Sequence, residues 1–141
     1  MSHPIADRLA IQDVMTRYAN GVDTRDKDLY ASAFVEELRI SGGFGTGPEV
    51  QGRDAWVAWV WRQLERFGPT QHLMGNYVVE LRGDQATMRT YVQATHIMAD
   101  DPKTTLTLWA TYHDELVRDG DIWRITDHRL EPHARQVVTG T

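Results

Sequence analysis

The sequence contains no cysteine, and this absence excludes several classes of site. Without thiols there is no disulfide, no thiolate nucleophile and no cysteine-bound metal. Basic residues are also in the minority, with 15 lysines and arginines against 20 aspartates and glutamates, which gives a formal net charge of −5. Because proteins that bind nucleic acids usually carry a basic patch, we expect no nucleic-acid partner.

Long apolar runs are absent as well. No stretch approaches the roughly 18 consecutive apolar residues that a membrane span requires, and residues 1–10 contain no apolar run of signal-peptide length. We therefore expect a cytoplasmic protein with no membrane partner. The 141 residues are 41% hydrophobic and 25% charged, which is the balance of an ordinary globular chain. Because this length suits one domain with one core, residues 1–141 are predicted to form a single domain.

The first part of the chain carries helical patterns. From Pro4 onward, apolar residues recur at spacings of two to four, which is typical of one buried helical face, and Gly21 is expected to end that helix. A short second helix is expected from about Asp26 to Ala33. The segment GRDAWVAWVWRQLERFG, residues 52–68, predicts a third helix that is apolar over a wide arc and therefore buried on more than one side. That arc, together with a wide sheet, suggests a homo-oligomer, either a dimer or a trimer.

The remainder of the chain carries strand patterns. The segment FVEELRISGGFGTGPEVQG predicts a strand that enters a glycine-rich loop, which lacks the phosphate-loop motifs and is better explained as a loop near a pocket mouth. Residues 85–98 alternate polar and apolar with period two, residues 105–118 predict a long strand, and IWRITDHRLE predicts a last strand after an Asp-Gly turn. Helices followed by an antiparallel meander indicate an α+β fold, in which the helices and a curved sheet enclose a pocket.

Several motifs, in this order, resemble the SnoaL-like branch of the NTF2-like superfamily. They are YANGVD at the end of the first helix, GRDAW at the start of the third, HLMGNYVVELRGDQATMRTYVQATH from His72 to His96, and RDGDIWRITDHRLE near the end. The resemblance implies that superfamily's α+β cone, a curved antiparallel sheet with about three helices closing a pocket. The superfamily includes dehydratases, a dehydrochlorinase, isomerases, polyketide cyclases and binding proteins without chemistry, so the fold alone does not name a reaction.

The dehydratase and dehydrochlorinase members use an Asp–His dyad, and Asp23 and His72 occupy the matching positions here. The resemblance implies that His72 removes a proton from the substrate, while Asp23 orients the ring and stabilises the imidazolium. The other interpretation of Asp23 is a cap of the second helix. On its strand, His72 has the opposite parity to the apolar residues Leu73 and Tyr77, and a bulge near Gly75 is needed to turn it inward.

Two further residues match positions that are functional in some members of the superfamily. Tyr18 lies on the core face of the first helix, five residues before Asp23, and its implied role is a hydrogen bond to a substrate carbonyl. The alternative is a core aromatic whose hydroxyl reaches a partner. His96 lies on the buried face of its strand, and its implied role is to donate a proton to a leaving hydroxyl. The alternative for His96 is a buried histidine satisfied by a neighbour.

Arg129 is expected to share a face with Trp123, Ile125 and Asp127 on the last strand. It is a candidate for binding an anionic or carbonyl group of the substrate, and the alternative is a salt bridge with a neighbouring carboxylate. Ordinary core packing is also the alternative for three candidate pocket-lining residues, Met74, Met98 and Trp109.

Six histidines raise the question of a metal site. None of the spacings H-x-H, H-x-x-x-H or H-E-x-x-H occurs, and no serine lies in a nucleophile elbow, so we expect neither a metal nor a cofactor. The sequence thus predicts a cofactor-independent lyase that removes water, or a comparable leaving group, from a small hydrophobic cyclic molecule. The alternatives are isomerisation or polyketide cyclisation by the same pair, and a ligand-binding protein without catalysis.

Overall fold

In a computed structural model, described for residues 3–140, three helices pack against one five-stranded sheet. The helices are α1 (Pro4–Asp23), α2 (Lys27–Ala31) and α3 (Arg53–Leu64). The strands are β1 (Phe34–Gly42), β2 (Phe67–Arg82), β3 (Gln85–Met98), β4 (Thr104–Asp119) and β5 (Ile122–Thr139). Within residues 3–140, no helix is both long enough and apolar enough to cross a membrane.

The strand order in the sheet is β1-β5-β4-β3-β2. Strands β2 to β5 form the predicted antiparallel meander. Strand β1 pairs in parallel with β5, with Phe34 opposite Ile125 and Ile40 opposite His128. The sheet is therefore mixed, and the expectation of a wholly antiparallel sheet is wrong on this point. Strand β5 lies between β4 and β1 in the sheet, and it runs antiparallel to β4 but parallel to β1. The predicted α+β arrangement of a curved sheet under three helices is confirmed.

The junction between α1 and α2 differs from the prediction. Helix α1 continues past Gly21 and ends at Asp23. A Cβ atom at position 21 would lie 2.5 Å from the backbone nitrogen of Tyr30, so the glycine allows α2 to approach α1 closely. The side chain that caps α2 is Asp26, which accepts a hydrogen bond from the backbone N–H of Leu29 at 3.0 Å. Asp23 is therefore free of the capping role.

Helix α3 ends at Leu64, earlier than predicted, because Gly68 and Pro69 already belong to β2. Its apolar arc packs on the core through the buried Trp56, while Trp59 is partly buried against the same core. The core and the adjoining cavity therefore account for much of that arc. The homo-oligomer expected from it stays a prediction.

A bulge in β2 turns His72 inward, as predicted. The pairing with β3 shifts register between Gly75 and Val78, and Asn76 between them has a positive φ of 51°. Before the bulge the even-numbered residues face inward, and after it Tyr77 and the other odd-numbered residues do. One extra residue thus reverses the facing of the strand.

A second bulge, in β5, was not predicted. The pairing with β4 shifts between Glu115 and Leu116, which inserts one extra residue on β5 after Ile125. Ile125 faces inward before the shift, and His128 faces inward after it. Arg129, together with Asp127, consequently faces away from the core. The expectation that Trp123, Ile125, Asp127 and Arg129 share one face is wrong for the last two.

Candidate active site

A cavity of about 470 Å³ lies between the helices and the inner face of the sheet. Most of its wall is apolar, and the glycine-rich loop after β1 contributes Phe44 to it. The polar side chains that reach it include Tyr18, His72, His96 and Tyr112. A mostly apolar cavity with a few convergent polar groups is the usual form of a small-molecule site, so we take it as the candidate active site.

Asp23 and His72 form a closely bonded pair at the wall of this cavity. Asp23 is the last residue of α1, and His72 lies on β2 just before the bulge. The ring Nδ1 of His72 lies 2.8 Å from Asp23 Oδ1, and the His72 backbone N–H donates to Oδ2 at 2.7 Å. The Thr70 hydroxyl donates to Oδ1 at 2.9 Å. Because Nδ1–H is committed to the carboxylate, the neutral ring keeps Nε2 as its unprotonated nitrogen, which is the one able to act as a base.

The charge state of Asp23 suits this pairing. Burial raises the pKa of its carboxyl, but the hydrogen bonds and charge of His72, with the Thr70 bond, outweigh burial and lower the pKa below its ordinary value of 3.8. Asp23 is therefore an anion at neutral pH. An anion at Nδ1 stabilises the imidazolium that forms when Nε2 takes a proton.

Arg25 stabilises the positions of the Asp23 and Thr70 side chains. It has a positive φ of 60°, and its guanidinium donates to the carbonyl oxygens of Val22 at 2.6 Å and Gly68 at 2.7 Å. It also donates to the Thr70 hydroxyl oxygen at 2.9 Å, which leaves the Thr70 proton for Asp23. The residue thus ties the end of α1 to the start of β2. Sequence reasoning missed Arg25 and Thr70, because neither belongs to a motif and both are ordinary turn and strand residues.

His96 lies beside this pair, with its ring centroid 5.8 Å from that of His72. Its Nδ1 lies 3.3 Å from the carbonyl oxygen of Leu106. Burial lowers the pKa of His96 to about 4, and the charge of His72 acts in the same direction. The ring is therefore neutral at neutral pH, with its proton on Nδ1 and its Nε2 available as an acceptor. This state does not suit the predicted role of proton donor to a leaving hydroxyl.

Tyr18 connects the cavity to a second His–Asp pair. Its hydroxyl lies 3.1 Å from His128 Nε2, and His128 Nδ1 is bonded to Asp114 Oδ1. Sequence reasoning missed this pair, because strict alternation along β5 placed His128 on the outer face. One signal was present in the sequence: Asp114 shares its parity with the apolar residues Tyr112 and Leu116, and a carboxylate on an inward face needs a partner.

Four other candidates lie outside the cavity. Arg129 borders a hollow of about 620 Å³ on the outer face of the sheet, which is charged and contains neither His72 nor His96. Trp109 faces outward, because the preceding Leu108 lines the cavity. Met74 packs against the core, and Met98 is partly buried opposite Phe67 at the end of β3. None of these four residues lines the cavity, so the geometry gives no support to the prediction that they bind substrate.

The described part of the chain offers no ready metal centre. Within residues 3–140, no group of three or more His, Asp or Glu side chains is arranged to hold a metal ion. The two His–Asp pairs each supply only one histidine and one carboxylate.

Comparison with known proteins identifies the family of this chain. The family model described as the SnoaL-like domain matches residues 3–129 of this chain. An uncharacterised protein of Mycobacterium tuberculosis, Rv2910c, is 29% identical over 126 residues, which cover 86% of this chain and 82% of that protein.

Solved structures share the fold. A protein of Novosphingobium aromaticivorans, provisionally named scytalone dehydratase, has a TM-score of 0.86 at 22% identity, with 98% of this chain and 91% of that chain covered. A type 3 hexachlorocyclohexane dehydrochlorinase of Novosphingobium barchaimii has a TM-score of 0.82 at 20% identity, with 98% and 94% covered. These likenesses confirm the predicted cone-shaped α+β fold.

Proposed function

Because the chain belongs to the SnoaL-like domain family, we propose that it is a cofactor-independent lyase acting on a small hydrophobic cyclic molecule. The Asp23–His72 pair would eliminate water, or a comparable leaving group, from that molecule. The observation that carries this proposal is that His72 makes two hydrogen bonds to the Asp23 carboxylate, one through its backbone N–H and one through its ring Nδ1. The pair sets the tautomer and the direction of a base at an apolar cavity.

The proposed reaction moves only protons and one leaving group. His72 Nε2 takes the proton from a carbon next to a carbonyl, and the C–H electron pair forms an enolate. The enolate re-forms its carbonyl as the bond from the β carbon to its hydroxyl breaks. The departing oxygen takes the proton back from the His72 imidazolium and leaves as water. The net change is the loss of water from substrate, with His72 returned to its neutral form.

The other polar groups of the cavity suit supporting roles. Tyr18 can donate a hydrogen bond to the carbonyl oxygen, where negative charge develops. His96, neutral and with a free Nε2, can accept a hydrogen bond from the hydroxyl that leaves. The apolar wall, which includes Trp59 and Leu108, would hold the ring system by burial of its surface.

The names of the structural relatives point the same way. One is provisionally named a dehydratase and another is a dehydrochlorinase, and both names denote eliminations. Their identities to this chain are 22% and 20%, so they support the class of reaction and leave the substrate open.

The test uses 3-hydroxy-1-tetralone, a bicyclic β-hydroxy ketone whose dehydration gives fluorescent 1-naphthol. We expect saturable formation of 1-naphthol by the wild-type protein. The variant His72→Gln should lower the rate by about 10²- to 10⁴-fold, the usual contribution of a positioned base. The matched control is His113→Gln, since His113 lies on the outer face and pairs with Glu131; its rate should equal that of the wild type.

Three results would redirect the proposal. Full activity in His72→Gln would remove the base from the mechanism. Exchange of hydrogen with solvent, without loss of water, would favour the isomerase or cyclase alternative. Binding of the ketone without exchange or turnover would favour a ligand-binding protein without catalysis.

A further inference from the structure

A second His–Asp pair lies behind the cavity wall, and the proposed reaction does not use it. Asp114 on β4 and His128 on β5 are opposite each other in the register of the two strands. His128 is 0% exposed and Asp114 is 3% exposed, and Asp114 Oδ1 is bonded to His128 Nδ1. Neither residue lines the cavity. The pair is therefore fully enclosed, whereas Asp23 and His72 are partly accessible.

The surroundings of this pair disfavour a net charge. Aromatic rings lie around the imidazole, with centroids 4.7 to 6.0 Å away, from Tyr18, Phe34, Phe44, Trp56 and Tyr112. Within residues 3–140, Asp114 Oδ2 has no hydrogen-bond donor. A buried carboxylate oxygen in such a place is costly unless its charge is neutralised. Burial raises the pKa of Asp114, against the opposing effects of His128.

If the Asp114–His128 pair is neutral overall, Nε2 of His128 must carry a proton. Electrical neutrality requires two protons on the pair, either as a carboxylic acid with a neutral imidazole or as a carboxylate with an imidazolium. In both forms Nδ1 is paired with Asp114, so Nε2 carries a proton. Nε2 lies 3.1 Å from the Tyr18 hydroxyl oxygen. His128 therefore donates to Tyr18.

Tyr18 is left with a proton to give to another acceptor. Burial raises the pKa of Tyr18 well above its ordinary value, and the neighbouring Tyr112 and Tyr30 add to that shift, so the hydroxyl stays protonated. Its oxygen accepts from His128, the hydroxyls of Tyr30 and Tyr112 lie beside it and can either donate or accept, and Tyr18 lines the cavity. A carbonyl oxygen in the cavity is a suitable acceptor, because it has lone pairs and no proton of its own.

We propose that Asp114 and His128 are positioning residues, which turn the Tyr18 hydroxyl toward the cavity so that it donates to the carbonyl oxygen of a bound ketone. The 6.5 Å between the ring centroids of Tyr18 and His72 suits a carbonyl held by one side chain and the adjacent carbon facing the other. The catalytic meaning of this inference rests on the proposed function. The hydrogen bond itself does not, because it is present whenever a ketone is bound.

The test is the carbonyl stretching frequency of bound 1-tetralone, labelled with carbon-13 at the carbonyl, by difference infrared spectroscopy. With wild-type protein we expect a frequency below that of 1-tetralone in a hydrocarbon solvent, because a donated hydrogen bond weakens the C=O bond. Tyr18→Phe should raise it to the solvent value. The double variant Asp114→Leu with His128→Phe should raise it most of the way, since Tyr18 then loses the donor that orients it.

The double variant is chosen so that folding survives. Replacing both members of a buried polar pair by apolar groups of similar size is often nearly neutral for stability. If it does not fold, His128→Met is the substitute, because methionine fills irregular space and offers no N–H. Added to Tyr18→Phe, either change should shift the frequency no further, as expected when two residues act through one hydrogen bond.

His72→Gln separates this inference from the proposed function. It should lower the rate of 1-naphthol formation by about 10²- to 10⁴-fold while leaving the carbonyl frequency at the wild-type value. A wild-type frequency in the double variant, or in His128→Met if the double variant does not fold, would overturn the positioning role and leave the Asp23–His72 proposal standing. A shift that accumulates beyond that of Tyr18→Phe would overturn it too, because the pair would then act on the ligand by a path other than Tyr18.

Discussion

Asp23 binds His72 with both carboxylate oxygens, accepting from the backbone N–H at 2.7 Å and pairing with the ring Nδ1 at 2.8 Å. One contact fixes the strand and the other fixes the ring, so the direction of Nε2 is set before any ligand arrives. The Thr70 hydroxyl donates a hydrogen bond to the same carboxylate, and Arg25 donates to the Thr70 hydroxyl oxygen, so both residues hold the carboxylate in place. In the proposed reaction, His72 would therefore be a base that is oriented in advance, which lowers the cost of reaching a reactive geometry.

Replacing Asp23 by asparagine tests the charge of the pair. In Asp23→Asn the side chain is nearly the same size but has no negative charge to stabilise an imidazolium. We expect dehydration of 3-hydroxy-1-tetralone to fall by roughly 10²- to 10⁴-fold. The control is Asp26→Asn, because asparagine also caps helices well; its rate should match the wild type. Equal rates in Asp23→Asn and Asp26→Asn would show that the charge has no catalytic role.

The lowered pKa of Asp23 predicts how stability depends on pH. Its folded pKa lies below the ordinary value of 3.8, so the unfolded chain binds this proton more readily than the folded one. The stabilisation from Asp23 is therefore present above the unfolded pKa and is lost as the pH falls through the folded pKa. In urea unfolding at a series of pH values, the stability difference between wild type and Asp23→Asn should be constant near neutrality and shrink in this acid range. A difference that grows on acidification would contradict the assignment.

His96 should stay neutral over the physiological range. Its pKa of about 4 lies below the ordinary value of 6.5, so its imidazole proton signals in NMR should not move between about pH 5 and 8. Because the unfolded chain binds this proton first, His96 lowers stability as the pH falls between those two values, and His96→Gln should remove that slope. An inflection near 6.5 for His96 would mean that the ring is hydrated and able to donate a proton.

Gly21→Ala tests the close contact of α1 with α2. The added Cβ would lie 2.5 Å from the Tyr30 backbone nitrogen, which cannot move as a flexible side chain does. We expect a loss of about 1–3 kcal/mol in the free energy of unfolding, the usual cost of overpacking. The control is Thr16→Ala on the exposed side of the same helix, where alanine favours the helix. A Gly21→Ala protein as stable as Thr16→Ala would contradict the contact.

The sequence carried enough information to place the first pair but not the second. Asp23 and His72 follow from motifs, and the bulge near Gly75 follows from a conflict of parity along β2. The bulge in β5 produces no such conflict of parity in the sequence. With strict alternation, Asp127 and Arg129 would face inward beside Trp123, and that placement is as plausible from the sequence as an outward one. A single extra residue reverses a strand's facing, and its position depends on the pairing with β4, which local pattern does not contain.

The contacts that hold the site together also cannot be predicted from local sequence patterns. Arg25 bonds to Gly68 and Thr70, more than 40 residues away, from a turn in which any polar residue would look natural. Gly21 looks like a helix stop, and its actual role is to admit the backbone of Tyr30. Both depend on which elements become neighbours in the folded chain.

The most direct measurement of the central claim is proton abstraction by His72 in the absence of a leaving group. 1-Tetralone carries exchangeable hydrogens beside its carbonyl and cannot lose water, so its incubation in deuterated solvent, followed by mass spectrometry, isolates that one step. We predict rapid incorporation of deuterium at this carbon with wild-type protein and with His113→Gln, and incorporation at the solvent rate with His72→Gln. Incorporation by His72→Gln at the wild-type rate would contradict the account.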